Sequence, residues 1–398
     1  MILVINTGSS SIKMAVIDMP AERLLAEGMA DRPGEPESSL SWCINGESIH
    51  TEHHCADHPA AMQQMLAMLF QTIGKDRIRA VGHRVVHGGE RFFAPTPLDT
   101  DVIAGIESLS HLAPLHNPAN LTGIRDAMQH LPSVPHIAVF DTAFHHAMPQ
   151  HASLYAVPYQ WYSEYGVRRY GFHGTSHHYV GLQAAKLLGR EFSDCRLITA
   201  HLGNGCSAAA IKDGVSVDTT MGMTPLEGLV MGTRSGDIDP GLHDYIARQS
   251  GASLAEITAT LNRQSGLLGL SGLSNDMRTL LQASDDGDAR AALAVDIFCY
   301  RLAKSLAALA VPLGHVDALI FTGGIGEHAA AIRARTIGLL GMLGATLDED
   351  NNRQHGKHSG GQISRSDSRL PVLVIATDEE KMIARYVNAA LQEKVNPS

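Results

Sequence analysis

The chain opens with an apolar run that predicts a strand over residues 2–6, a turn over 7–11 and a second strand that ends near residue 18. A similar unit recurs about half a chain length later. There an apolar strand at 197–201 leads into a glycine-rich turn and then into the apolar residues 208–211. This separation is too long for a solenoid repeat, so the pattern predicts two related domains that each begin with a strand, a turn and a strand.

Helical and strand patterns alternate elsewhere, which predicts the α/β class. The predicted helices include 60–73 and 102–110, and the predicted strands include 80–86, 137–140, 316–321 and 372–376. Either Thr377 or Asp378 is suited to cap a terminal helix. Residues 30–58 are predicted to form an irregular excursion or an edge hairpin, and the polar residues 351–368 a surface loop.

Composition and charge exclude several classes of protein. The net charge is −10 and aromatic residues make up only 5%, so neither a phosphate-backbone footprint nor a base-stacking surface is evident. Charged residues interrupt the longest apolar stretch, at 291–316, and no membrane span is expected. The five cysteines are scattered and include no C-x-x-C pair, which favours a reducing cytoplasm.

Three glycine-rich turns follow apolar strands, and glycine lets backbone N–H groups approach phosphate oxygens closely. None matches the phosphate-binding lysine loop, and the first two lead into strands, so a P-loop enzyme and a Rossmann dehydrogenase both fit poorly. Each turn alone is more typical of a tight hairpin than of a phosphate site. Polar neighbours favour phosphate binding: Asn6 and Lys13 at the first turn, His201 and Asn204 at the second, and Glu327 at the third.

Two arginines, a histidine and a carboxylate stand in glycine-rich segments or directly after strands: Arg84, Arg234, His173 and Asp141. A buried structural pair of arginine and aspartate is the simpler alternative, but the four together indicate an anion site. Glu379 is the candidate ligand for a divalent metal. It is equally explained as a first-turn residue favoured by the helix dipole.

Taken together, the motifs resemble the acetate kinases, a family within the superfamily of acetate and sugar kinases, actin and heat-shock ATPases. The similarity runs nearly end to end and lies, in the expected order, in residues 2–13, 82–89, 140–145, 171–177, 201–205, 232–240, 275–278, 323–327 and 378–380. No departure from the family's pattern is found at these positions.

The resemblance implies a duplicated actin-like, or ribonuclease H-like, α/β fold of two domains with the active site in the interdomain cleft. The N-terminal domain would span 1–146 and be completed by a C-terminal helix at 380–398. The C-terminal domain would span 147–379 and carry most of the nucleotide site. A homodimer is also implied, with no nucleic acid or membrane as partner.

The resemblance also implies a role for each candidate residue. Asn6 and Glu379 would place Mg²⁺, for which Mn²⁺ is a possible substitute. Arg84 and Arg234 would grip the carboxylate and the transferring phosphoryl group, His173 would stabilise the transition state, and Asp141 would be the essential acidic residue. The pocket for the acetate methyl would consist of Val86, Leu115, Phe172 and Pro225. ATP or ADP would be bound by Lys13, by His201, Leu202, Gly203, Asn204 and Gly205, by Asp276, Met277 and Arg278, and by Gly323, Gly324, Ile325, Gly326 and Glu327.

The implied reaction is reversible, direct in-line transfer of the γ-phosphoryl group of ATP to acetate, giving acetyl phosphate and ADP. Acetate, with a pKa near that of aspartic acid at roughly 4, is already ionised at pH 7 and needs no general base. We therefore expect Asp141 to order Arg84, Arg234 or metal-bound water. A propionate or other short-chain acid kinase is the nearest alternative. A nucleotide-dependent scaffold or chaperone is a second, but it has no need for Arg84, His173 and Arg234 together.

Overall fold

A computed structural model describes residues 1–44, 46–51, 55–114 and 116–395. The chain divides into two compact units. Unit one comprises Met1–Ala143 and the described residues from Asp378 onward, and unit two comprises Phe144–Thr377. The domain boundaries proposed from sequence, after residues 146 and 379, stay a prediction.

The elements are numbered in chain order. The strands are β1 (Ile2–Thr7), β2 (Ser11–Asp18), β3 (Arg23–Asp31), β4 (Ser39–Ile44), β5 (Glu47–Thr51), β6 (Ala80–Val85), β7 (Thr96–Pro97), β8 (His136–Phe140), β9 (Arg196–Leu202), β10 (Cys206–Lys212), β11 (Val215–Thr219), β12 (Ala318–Thr322) and β13 (Val372–Val374). The helices are α1 (His58–Ile73), α2 (Thr100–Ser108), α3 (Asn117–His130), α4 (Gln150–Ser153), α5 (Tyr159–Tyr165), α6 (Gly174–Leu188), α7 (Gly241–Ser250), α8 (Leu254–Arg263), α9 (Gly266–Ser271), α10 (Met277–Asp285), α11 (Ala289–Leu309), α12 (Gly323–His328), α13 (Ala330–Gly338), α14 (Glu349–Arg353) and α15 (Glu379–Val395).

In unit one the sheet has the order β5-β4-β3-β2-β1-β6-β8-β7. Its central strand β1 is buried on both faces, which explains its continuous apolar sequence. Leu3 and Ile5 point into the core that contains α1 residues, whereas Ile2 and Val4 belong to the core that contains α15 residues. The segment predicted as irregular or as an edge hairpin forms the edge hairpin β4–β5, and its residues 45 and 52–54 lie outside the described part of the chain.

Unit two contains a sheet with the order β11-β10-β9-β12-β13. The same arrangement occurs in unit one as β3-β2-β1-β6-β8. In each unit three neighbouring strands are antiparallel, and two further strands lie parallel to β1 or to its counterpart β9. The α/β class and the repeated architecture predicted from sequence are therefore confirmed.

One local prediction holds only in part and another is wrong. Residues 351–368 are not simply a loop, because α14 extends into them and Leu347 and Ser364 form an isolated bridge beside it. The third glycine-rich motif is not a turn but the helix α12, since Gly323 begins a helix immediately after β12. At the terminal helix, Asp378 is the residue whose carboxylate accepts from the Lys381 N–H, at 2.9 Å. Among the described helices, none has both the length and the apolar character needed to cross a membrane.

Candidate functional site

The anion-site residues of unit one lie at the carboxyl ends of two neighbouring parallel strands. Arg84 is the penultimate residue of β6, and Asp141 directly follows β8, where its N–H donates to the Val85 carbonyl. Arg84 Nε donates to Asp141 Oδ1 at 2.9 Å, and Arg84 Nη2 donates to Asp141 Oδ2 at 2.6 Å. Such a two-point contact fixes the plane of the guanidinium as well as its position.

Arg84 and Asp141 differ in how far their side chains are buried. The Asp141 side chain is 1% exposed, whereas that of Arg84 is 22% exposed. Burial raises the pKa of Asp141 and the Arg84 guanidinium opposes that shift. For Arg84, burial lowers the pKa, but the charges of Asp141 and Glu379 outweigh it and raise the pKa above its usual range. The arginine is therefore permanently charged, with the carboxylate behind it and part of its surface accessible.

The two proposed metal ligands both lie near this pair. Asn6 Oδ1 accepts from Arg84 Nη1 at 3.3 Å, and the Glu379 carboxylate acts electrostatically on both Arg84 and Asp141. An amide oxygen and a carboxylate are hard ligands that suit a divalent cation, with water and phosphate oxygens as the remaining ligands. No group of three or more His, Cys, Asp or Glu side chains arranged to hold a metal occurs in the described residues. The residues fit a metal shared with a phosphate ligand.

Lys13 and Val86 are also placed by this sheet. Lys13 is exposed on β2 and pairs in register with Asn6, so the two side chains are cross-strand neighbours. Val86 is buried and lies one residue beyond β6. Its N–H donates to Asn120 Oδ1 at 3.0 Å, while Asn120 Nδ2 donates to the Thr7 carbonyl at 2.7 Å. Leu115 lies outside the described residues.

Sequence reasoning missed Asn120, which joins the first glycine-rich turn to the segment that carries Val86. Asn120 belongs to α3, and Gly123 allows this helix to approach β1 closely. A Cβ at Gly123 would lie only 2.1 Å from Thr7 Oγ1. The only signal in the sequence is an asparagine on the inner face of a helix, where a side chain without a partner would be costly.

In unit two, the second and third glycine-rich motifs lie side by side. Strands β9 and β12 are parallel, and Thr322 pairs in register with His201. Gly323 has φ +74°, and a Cβ there would lie 2.8 Å from the Leu202 carbonyl oxygen. Glu327 Oε1 accepts from the N–H groups of Gly323, at 2.9 Å, and of Thr377, at 3.2 Å. The carboxylate thus stabilises the start of α12, and we see a structural role for it here.

His173 is held in an uncommon backbone conformation, with φ 57° and ψ 26°, directly before α6. Left-handed backbone at a residue other than glycine costs about 1 to 3 kcal/mol and is typical of functional sites. The His173 and His201 rings stack with centroids 4.3 Å apart. A Cβ built on Gly205 would lie 3.5 Å from His173 Nε2 and 3.5 Å from Arg234 Nη1. His173, Arg234 and the β9–β10 hairpin therefore surround one point.

Arg234 differs from Arg84 in its partners. Its Nη1 donates to the Pro225 carbonyl at 3.1 Å and contacts Met231 Sδ at 3.9 Å. In the described part of unit two no carboxylate pairs with it, and burial lowers the pKa of the guanidinium. A half-buried guanidinium without an anionic partner is a candidate binding group for an anion. Phe172, the remaining pocket candidate of this unit, is buried, and its carbonyl accepts from His145 Nε2 at 2.9 Å.

The proposed adenosine residues at 276–278 have structural explanations. The Asp276 carboxylate caps α10 by accepting from the N–H groups of Arg278 and Thr279. The Arg278 side chain hydrogen-bonds Asp276 and lowers its pKa to about 2. Met277 is buried. The neighbouring Asn275 Nδ2 donates to Asn204 Oδ1 at 3.1 Å, which connects this segment to the β9–β10 hairpin.

A cluster that sequence reasoning missed supports the segment 219–228, which carries Pro225. Arg169 Nη2 donates to Glu227 Oε1 at 2.7 Å, and Arg169 Nη1 donates to the carbonyls of Thr219 and Thr220. The Tyr155 hydroxyl donates to Glu227 Oε2 and accepts from the Met223 N–H at 2.8 Å. Because these partners are up to 72 residues apart, no sequence motif could have revealed them.

Comparisons with known proteins identify the family of this chain. The model of the Acetokinase family matches residues 1–385. The chain belongs to the acetokinase family. The acetate kinase of Deinococcus deserti is 52% identical over 392 residues, which are 98% of this chain and 97% of that protein.

Two solved structures share the fold along nearly the whole chain. A propionate kinase from Francisella tularensis has a TM-score of 0.92 at 44% identity and covers 97% of this chain and 98% of its own. The Porphyromonas gingivalis acetate kinase has a TM-score of 0.90 at 42% identity and covers 98% of this chain and 99% of its own. Family membership, inferred above from ordered motifs, is confirmed.

Proposed function

We propose that this protein transfers the γ-phosphoryl group of ATP to acetate, reversibly and in line, giving acetyl phosphate and ADP. Acetate kinase is the activity of relatives that are about half identical over nearly the full chain, and phosphotransfer to acetate is accordingly the function of this chain. The observation that carries the mechanism is the contrast between two arginines: Arg84 is oriented by a buried carboxylate, and Arg234 has no carboxylate partner within its unit.

In this mechanism the side chains bind and orient, and none has to move a proton. A carboxylate oxygen of acetate bonds to the γ-phosphorus while the bond to the bridging oxygen breaks, and ADP leaves with that electron pair. Because acetate is ionised at neutral pH, no general base is required. Asp141 fixes the Arg84 guanidinium, and Arg84, Arg234 and His173 stabilise charge on the transferring phosphoryl group.

The cofactor is proposed to be Mg²⁺, with Mn²⁺ as a possible substitute. Asn6 and Glu379 would hold the metal, which when bound would neutralise charge on the phosphate oxygens. Lys13, the hairpin residues 201–205, residues 276–278 and α12 are proposed to bind ATP or ADP. Val86, Leu115, Phe172 and Pro225 are proposed to contact the methyl group of acetate.

The alternative acid is propionate, because a propionate kinase is among the similar solved structures. Trapping of acyl phosphate with hydroxylamine, using ATP, Mg²⁺ and a series of short-chain acids, measures reaction class and chain length together. Hydroxamate from acetate at the highest kcat/KM is expected. No hydroxamate from any acid would contradict the phosphotransfer, and a higher kcat/KM with propionate would favour the alternative.

A homodimer and a cytoplasmic location are further proposals. The dimer is supported by the resemblance to the family, and the cytoplasm by five cysteines that are all free. Light scattering of the purified full chain tests the first, and fractionation of the source cells tests the second.

A further inference from the structure

A buried hydroxyl lies between two histidines in unit two. Ser207 Oγ is 2.8 Å from His173 Nδ1 and 2.8 Å from His177 Nε2. Ser207 and His177 are both fully buried. The mechanism above gives neither Ser207 nor His177 a role, although Ser207 contacts His173, the histidine proposed to stabilise the transition state.

The sheet explains why these groups meet. Thr199 and His201 are two residues apart on β9 and therefore share a face, and Ser207 on β10 pairs in register with His201 on that same face. Helix α6 packs against β9 and brings His177 to it. His177 Nδ1 then lies 2.7 Å from Thr199 Oγ1. The contacts form a chain of hydrogen bonds from Thr199 through His177 and Ser207 to His173.

The number of available protons limits which group can donate and which can accept in each of these hydrogen bonds. Burial, together with the nearby His145 and His201, lowers the pKa of His177 well below its usual range, so this ring is neutral at physiological pH. A neutral imidazole has one N–H, and a serine hydroxyl has one proton. Ser207 can therefore donate to only one of the two histidines.

The surroundings of His173 decide between the two orientations. His173 Nε2 and Arg234 Nη1 lie at equal distance from the position of a Cβ on Gly205, so both face the same point beside the hairpin. An anionic oxygen bound there needs a donor on Nε2. A neutral His173 ring then accepts at Nδ1, and Ser207 is the donor. Ser207 in turn accepts from His177 Nε2–H, and the Thr199 hydroxyl donates to His177 Nδ1.

We propose that Ser207 is a positioning residue that holds the His173 ring in place and keeps its proton on Nε2. The role rests on the proposed function, which supplies the phosphoryl oxygens that His173 contacts. Without the Ser207 hydroxyl, the His173 ring loses its partner at Nδ1 and can adopt either tautomer. In the tautomer with the proton on Nδ1, a lone pair on Nε2 would face the anion and repel it.

Ser207→Ala tests this role, and Ser364→Ala is the matched control. Ser364 is also a buried serine of unit two, and its hydroxyl accepts from the Val372 N–H without contacting a histidine. We expect Ser207→Ala to lower kcat about 10- to 100-fold, as when an outer partner of a functional histidine is removed, with little change in the KM for acetate. Ser364→Ala should keep the wild-type kcat. Equal kcat in the two folded variants would overturn the proposal.

A double-mutant cycle with His173→Ala separates positioning from a general structural effect. If Ser207 acts through His173, Ser207→Ala should cause no further loss of kcat in the His173→Ala background. An equal loss in both backgrounds would mean that Ser207 serves the fold. Ser207→Thr, which keeps a hydroxyl, should retain more kcat than Ser207→Ala, and the reverse order would count against the role.

Two further measurements keep the test decisive. If Ser207→Ala does not fold, Thr199→Val provides a second test. This nearly isosteric change removes the Thr199 hydroxyl, which contacts His177 at the other end of the series of hydrogen bonds, and it should also lower kcat. An unchanged kcat in Thr199→Val would then overturn the proposal. Absence of acyl phosphate with the wild-type protein would instead be a failure of the proposed function, which the wild-type assay reveals before any variant is compared.

Discussion

Arg84 is paired with a buried carboxylate, whereas Arg234 is paired with none in the described part of its unit, and this contrast predicts different losses of stability when each side chain is removed. Both Ala variants should lose kcat by about 10³- to 10⁵-fold, the range for a positioned arginine in phosphoryl transfer. Arg84→Ala should also lower the free energy of unfolding by about 3 kcal/mol, because it leaves the buried Asp141 unpaired. Arg234→Ala leaves no such carboxylate in its unit and should cost less. Urea unfolding and hydroxamate assays measure both effects, and near-normal turnover in either variant would place the anion site elsewhere.

The role of Asp141 is tested by an isosteric change. Asp141→Asn keeps the shape of the side chain but removes the charge that orients Arg84, so the fold and nucleotide binding should persist while most turnover is lost. If Asp141 only organises, wild-type kcat/KM should show no ionisation assignable to it between pH 5 and 8. An acidic limb in the wild type that disappears from the residual activity of Asp141→Asn would favour an acid/base role.

The third prediction for single residues concerns the size of the substrate. Val86 is proposed to stand near the alkyl end of the acid, where a branched side chain leaves more room for a methyl than for an ethyl group. Val86→Ala should shift kcat/KM from acetate toward propionate by roughly 10- to 200-fold, or about 1 to 3 kcal/mol. Both acids must be measured with both proteins. An unchanged ratio would mean that Val86 does not line the pocket.

Single residues also mark the limit of sequence reasoning. Arg84, Asp141, His173 and Arg234 could be predicted because they stand in glycine-rich turns or at strand ends, which the local pattern reveals. Ser207 and Asn120 could not, because the partners of their side chains are distant in sequence: they lie on or directly before α6 for Ser207, and at the ends of β1 and β6 for Asn120. Hydrogen bonds between such elements depend on register and packing, and the local sequence contains neither.

At the scale of elements, strand positions were predicted better than the conformations that follow them. The strands β1 and β12 were predictable because they are central and buried on both faces, which gives nearly continuous apolar runs. Gly323 was predicted to lie in a turn because glycines are strong turn signals. The helix forms instead because the Glu327 carboxylate accepts from the Gly323 N–H, and this hydrogen bond stabilises the first turn of α12.

The junction of β12 and α12 provides the prediction at this scale. Gly323→Ala places a Cβ 2.8 Å from the Leu202 carbonyl oxygen at φ +74°, so it should cost about 1 to 3 kcal/mol of stability and raise the KM for ATP. Gly338→Ala is the matched control, because Gly338 is a helical residue of α13 outside the proposed nucleotide site and its Cβ would meet nothing within 4 Å. As a helical substitution it should be neutral or stabilising. Equal KM values for ATP in the two variants would show that the close approach does not shape the nucleotide site.

At the scale of the whole molecule, the duplication explains where the candidate residues lie. Asn6 is the penultimate residue of β1, and His201 is the penultimate residue of β9, the corresponding strand of the second sheet. Each faces a polar residue on the next strand, Lys13 in unit one and Ser207 in unit two. The two sheets therefore present polar pairs at equivalent positions, although the chemical identity of each pair has diverged.

The overall stability should fall as the pH falls below about 6.5, because several buried histidines are neutral in the folded state. Burial lowers the pKa of His145 to about 4 and lowers those of His83 and His177 well below the usual value. The unfolded chain therefore binds protons at higher pH than the folded chain does, and acid favours unfolding.

For His145 the size of this effect can be stated and tested. The neutral His145 ring can donate from Nε2–H to the Phe172 carbonyl and accept at Nδ1 from the Ser216 hydroxyl, so both ring nitrogens have a partner in the neutral form. Its share of the decrease in unfolding free energy between pH 7 and pH 5 should be about 2 kcal/mol. His145→Gln can keep one donor and one acceptor without an ionisable group, so its stability should fall less over this interval. Urea titrations of both proteins at pH 7 and pH 5 give the two differences directly. An identical decrease in wild type and variant would mean that His145 is not among the groups that make the fold sensitive to acid.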